Sequence, residues 1–167
     1  MKESVGHEFL EMARARLVVH LTQQIHGCLD ALNDQMIWWR PNEQSNAVGN
    51  LVLHCAGSTR YHIGQIVGGS DFVRDRDAEF SERREIPRVE LLRDLDAAIA
   101  EADETLSRFD PDRLLETTDW VLKPATFMEV IGHQLIHYAN HTGQIAFAAK
   151  MLKADAIDDI WRKTLPR

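Results

Sequence analysis

The sequence predicts an all-α fold, a four-helix bundle with long connectors, in one domain over residues 1–167. Three observations carry this. Apolar residues recur at three- and four-residue spacing along four stretches, the mark of one buried helical face. Strand-like alternation is nearly absent. The stretches run for about 20 to 30 residues each and are separated by Asn-Asp, Gly-Gly and Asp-Pro punctuation, a pattern of long helices packed around one core. A chain of 167 residues suits one domain and can bury a core without disulfides or a structural metal.

The first helix is predicted from near residue 3 to near 33. Leu10, Leu17, Leu21, Ile25, Cys28 and Leu32 keep one face. Asn33-Asp34 ends it, and "DQMIWWRPNEQS" connects, because Pro41 cannot continue a helix and pushes Arg40 towards extended geometry. Trp38-Trp39 reads as packing within that connector. The second helix is predicted over 45–68, starting at Ser45 or Asn46 as a cap. Val48, Leu51, Val52, Cys55, Ile63 and Ile66 form its apolar side, and Gly68-Gly69 stops it.

A polar connector, "SDFVRDRDAEFSERREIP", follows. Its Arg74-Asp75-Arg76-Asp77 run reads as local ion pairs or a subunit contact, with a pocket lid as the alternative a long connector leaves open. The third helix is predicted over 87–109, opening at Pro87, with Leu92, Leu95, Ile99, Ala102, Leu106 and Phe109 on one side and charges on the other. The next connector is predicted to be briefly extended at Thr117 to Leu122. Thr126 with Glu129 forms a capping box for the fourth helix, over 126–153. Leu135, Ile136, Ile145, Phe147, Ala148 and Met151 surround that helix, so it expects cover on all sides, which points to a homodimer. The short tail is predicted to pack back through Ile157, Ile160 and Trp161.

Acidic residues outnumber basic ones 26 to 19, for a net charge of −7, and no basic block tracks a phosphate backbone. Nucleic-acid binding is disfavoured on that ground. The N-terminus "MKESVGHEFL" lacks the apolar core of a signal peptide, and no apolar run nears the ~18 residues of a membrane span. The expected place is the cytoplasm. The two cysteines, Cys28 and Cys55, lie outside any CxxC motif and read as small core residues.

The chemistry is in the histidines. In "HQLIHYANHTGQ", His133, His137 and His141 recur every fourth residue. Such residues share one helical stripe, with steps of about 6 Å along the axis. Two neighbours can converge on one ion, as the pair in HExxH does. His133 and His141 are about 12 Å apart, too far to share an ion whose bonds to nitrogen are about 2 Å. Spacing therefore leaves two pairs open, His133 with His137 or His137 with His141. A third ligand must come from another helix, where His54, His62, His20 and His26 are the candidates.

"HYANHTGQI" resembles the HxxxH(R/T)GQ hallmark of the DinB-like superfamily, metal-binding four-helix bundles that include bacillithiol S-transferases and mycothiol-dependent enzymes. "NAVGNLVLHCAG" resembles its second-helix motif. "WWRPNEQSN" and "RDRDAEF" are similar to connectors of one uncharacterised subfamily. The matches span most of residues 30 to 150. Carried over by position, the resemblance implies His54, His137 and His141 as metal ligands and usually a homodimer. His133, one turn before the pair, would orient the site, face a substrate pocket or pack as a polar residue, and His62 would be structural. Gln144 reads either as a hydrogen-bond partner near the metal or as a cap on a core polar group.

Zinc or nickel suits such a set. Three neutral imidazoles leave the ion its full charge, enough to activate a water or a low-molecular-weight thiol at neutral pH. The function implied is a divalent-metal-dependent enzyme, a thiol S-transferase or a hydrolase acting on a small molecule. The alternative is a non-catalytic metal- or ligand-binding homodimer of the same fold, serving in stress response. No carboxylate stands beside the histidine pair as in HExxH, which argues against a protease.

Overall fold

The computed structural model describes residues 4–121, 123–156 and 160. Among these the chain is an all-α bundle. The first rod comprises α1 (Val5–Arg14), a π-helical stretch (Ala15–Leu21) and α2 (Thr22–Ala31). Ser4 caps α1, its Oγ accepting from the His7 N–H at 3.2 Å. The π-helical stretch departs from the single regular helix expected, because wide turns break the 3.6-residue phase. At its end Thr22 Oγ1 donates to the Leu17 carbonyl at 2.8 Å. That leaves the Thr22 oxygen to accept from the buried Tyr138 hydroxyl at 2.9 Å, which ties the first rod to the last. A single turn, α3 (Asp34–Ile37), follows within the connector.

The second rod is α4 (Val48–Thr59) with a π-helical continuation (Arg60–Val67). It starts later than Ser45 or Asn46, and the reason is local. Asn42 Oδ1 accepts from the Gln44 N–H and the Ser45 hydroxyl, both at 3.0 Å, and holds Ser45 in a turn. Asn50 caps the helix from inside it, Oδ1 accepting from the Ala47 N–H at 3.2 Å. Its amide group also donates to the carbonyls of Glu79 and Glu82, at 3.0 and 3.1 Å. Trp38 fills the space above Gly49, where a Cβ would collide with its ring, and donates to the Ile86 carbonyl at 2.9 Å.

The connector after the second rod contains a short helix, α5 (Arg76–Ser81), capped by Asp75 Oδ1 on the Ala78 N–H at 2.9 Å. The third rod, α6 (Arg88–Arg108), buries Leu95, Ile99, Ala102 and Leu106 as its periodicity required. A 3₁₀ turn (Pro111–Leu115) leads to β1 (Thr117–Thr118), antiparallel to β2 (Ala125–Thr126). The extension is thus shorter than predicted, and Leu122 lies outside the described residues. The capping box opens α7 (Phe127–Leu152): the Glu129 N–H donates to Thr126 Oγ1 at 3.2 Å, and the Thr126 N–H to Glu129 Oε2 at 2.7 Å. Ile160 packs against the core. Ile157 and Trp161 lie outside the described residues.

In the bundle α4 packs against α6 and α7, α2 against α7, and α5 covers α4. Leu17, Ile25, Leu29, Ile63, Leu95 and Ile145 are at the centre, each at most 1% exposed. No helix of the described residues is long and apolar enough to cross a membrane.

Candidate metal centre

Three histidines from two rods converge between α4 and α7. His54 Nε2 lies 2.9 Å from His137 Nε2, which lies 3.2 Å from His141 Nε2. One nitrogen of each ring falls within 4.8 Å of the others. Of the two pairs that spacing left open, the structure brings together His137 with His141. His133 is exposed, and its ring stacks on His137 with centroids 5.9 Å apart. His26 pairs instead with Asp96 at 2.7 Å, and His20 is on the first rod, outside the cluster. Cys28 and Cys55 are buried free thiols, and burial raises the pKa of both.

The partners of the outer ring nitrogens decide which atoms point inward. Glu79 Oε2 lies 2.7 Å from His54 Nδ1. Arg74 donates to both carboxylate oxygens at 2.8 Å, from Nε and Nη2. Its Nη2 also lies 3.0 Å from His54 Nδ1, a contact that would need a lone pair there. The shorter contact to an ionised acceptor prevails, so Nδ1 carries the proton and donates to Glu79. Burial alone would raise the Glu79 carboxyl, but the hydrogen bonds from His54 and Arg74 outweigh it and hold the pKa below the ordinary value. Gln144 Oε1 accepts from His141 Nδ1 at 2.8 Å. His54 and His141 therefore both turn Nε2 to the centre.

These two nitrogens meet His137 Nε2, while His137 Nδ1 is buried with no hydrogen-bond partner. Burial first, then the neighbouring imidazoles, lowers the His137 pKa to about 3, and burial also lowers that of His141. A proton on His137 Nε2 can be donated well to only one of the two neighbours, whereas a cation among the rings would engage all three nitrogens. Ligand nitrogens around a tetrahedral ion with bonds of about 2.0–2.1 Å stand about 3.3 Å apart. The observed spacings of 2.9 and 3.2 Å approach that, so the cluster can coordinate a metal ion. Glu79 and Gln144 are then the outer partners that fix ring orientation at such sites.

A cavity of about 480 Å³ opens beside the cluster. His62 lines it but does not join the three. It is buried among polar groups, its Nδ1 donating to the Ser58 carbonyl and Gln134 Oε1, both at 2.9 Å. The Gln134 amide is itself fixed, donating to Thr59 Oγ1 at 2.8 Å. Burial above all lowers the His62 pKa to about 4. Trp120 stacks edge-on against His133 at 4.9 Å. Next to it Val121, on the cavity rim, has φ 44°, a strained backbone for a β-branched residue.

The local ion pair expected of the Arg74–Asp77 run forms between Arg74 and Glu79, but sequence reasoning placed neither of these, nor Gln134, beside the histidines. The available signal for the first two was "RDRDAEF" itself. An acid four residues after Asp75, a helix cap, falls on the first turn of α5, and that turn faces α4.

Six chains of known structure match this one. One is a DinB-like protein from Bacillus cereus ATCC 10987, whose crystal structure was determined at 2.01 Å resolution. The two share 14% sequence identity with a TM-score of 0.65, over 80% of this chain and 86% of that one. At that identity the likeness shows the fold, which is DinB-like. No curated protein matches the chain. The profile of the DUF1572 family, described as protein of unknown function, matches residues 4–164, and the chain belongs to that family.

Proposed function

We propose that the protein is a divalent-metal-dependent enzyme that transfers a small thiol to an electrophile or hydrolyses a small substrate. The observation that carries this reading is the convergence of three imidazoles, with His54 and His141 fixed by Glu79 and Gln144 so that Nε2 points inward. His54, His137 and His141 would hold the ion, zinc or nickel by ligand type. When bound, such an ion supplies Lewis acidity towards a water or a thiol.

The protein's own groups do the rest. Arg74 keeps Glu79 ionised and in place, and Glu79 keeps the His54 ring turned. The adjoining cavity is of a size to seat a small molecule. His62 has its Nδ1 proton committed to Ser58 and Gln134, so its Nε2 can accept a hydrogen bond from a molecule in the cavity. A cytoplasmic setting accords with both cysteines being free thiols.

Elemental analysis of the purified protein tests the metal. One equivalent of a divalent ion is expected, lost in His137→Ala. Absence of metal, or unchanged binding in that variant, would defeat the site. Turnover is tested by incubating the loaded protein with a thiol and an epoxide or chlorinated electrophile. Conjugation or hydrolysis should vanish in His141→Ala, and activity that persists there would remove the histidines from the chemistry.

A further inference from the structure

The cavity beside the histidines is opposite in charge to the molecule that holds it. The chain carries a net charge of −7, yet no acidic residue lines the cavity, while two arginines do. Those arginines differ. Arg74 is occupied by Glu79, with two hydrogen bonds of 2.8 Å. Arg76 makes no ion pair among the described residues. Its guanidinium lies over the Phe80 ring, 4.8 Å from the centroid. Phe80 in turn packs on the His54 ring, with centroids 4.4 Å apart.

That stack has a chemical consequence. A guanidinium resting on an aromatic face has its plane held, and its N–H groups point outwards in that plane, free to donate. A planar fork of donors matches a carboxylate, which accepts two parallel hydrogen bonds. The cation is thus held two ring contacts from the histidine cluster, on the wall of a cavity of about 480 Å³. With no carboxylate lining the cavity, nothing on its wall competes for Arg76.

We propose that this cavity binds a small carboxylate, with Arg76 as the residue that selects its charge and the far end of the ligand lying at the three histidines. The first half stands on the arginine and the acid-free wall. The second rests on the metal reading above.

The test uses the full chain, zinc-loaded and metal-free, titrated calorimetrically with 3-mercaptopropionate and with the neutral 2-mercaptoethanol. With zinc, the anion is expected to bind about tenfold more tightly, the ratio expected of one charge-assisted pair. Arg76→Ala should remove the difference and Arg76→Lys should restore part of it. Arg76 is exposed, so both variants should fold. Equal affinity for the two probes, or a preference that survives Arg76→Ala, overturns the proposal. If the protein takes up no zinc, the metal reading fails separately. Line broadening of 3-mercaptopropionate by the metal-free protein then decides: broadening lost in Arg76→Ala upholds the carboxylate site, and no broadening overturns it.

Discussion

Glu79 is the residue through which two parts of the chain meet at the site. Its carboxylate accepts hydrogen bonds from His54 Nδ1 and from both Arg74 donors, and it is 9% exposed. Outer partners of this kind typically change metal affinity by about 10- to 100-fold. Glu79→Gln is therefore expected to weaken metal binding by that factor, measured by competition with a chromophoric chelator, while the histidines remain. An unchanged affinity would show that His54 is oriented by packing alone. The histidines were legible because spacing along a helix is geometry. Glu79 was not, since it lies 25 residues from His54 on a connector whose folding the sequence reading left open. The choice between His133 and His141 was equally beyond spacing and came from the resemblance.

At the scale of elements, α4 and α5 fit together at Gly57. A Cβ there would overlap Glu79 Oε1, so only glycine lets the carboxylate reach His54. Gly57→Ala improves helix propensity by up to about 1 kcal/mol, yet it must displace Glu79. We expect normal helical circular dichroism together with a loss of metal affinity similar to that of Glu79→Gln; retained affinity would contradict the fit. Four rods and the Thr126–Glu129 box were readable because each rests on a repeated or reciprocal signal. The π-helical stretches Ala15–Leu21 and Arg60–Val67 were not, since apolar spacing of three and four residues tolerates a widened turn. The late start of α4 was hidden for another reason. Ser45 and Asn46 are good caps by type, but Asn42 and Asn50 settle the matter through contacts that no propensity encodes.

For the whole molecule, burial of His62 links stability to pH. Its pKa falls from 6.5 to about 4 on folding. Between these values the unfolded chain binds a proton that the folded chain refuses. This contribution is complete above about pH 6.5 and declines as pH falls towards 4, by on the order of 3 kcal/mol. The melting temperature of the metal-free protein should drop between pH 7 and 4.5, less steeply in His62→Gln; identical slopes would exclude His62 as the source. The outer face of α7 bears on assembly. Ile136, Phe147 and Met151 are 67%, 68% and 60% exposed. We propose that a second copy covers this face. Sedimentation should give a dimer that Phe147→Glu converts to monomer, and a monomeric wild type would reject this.

The connector that carries Glu79 has a consequence in thermodynamic linkage. Arg74, Glu79 and Phe80 all reach the His54 ring from outside the four rods. Anything that binds more tightly when that ring is held must, by reciprocity, hold the connector closed by the same free energy. Occupant and connector would then be each other's effector, and the affinity of the site would include the free energy of seating the connector on His54.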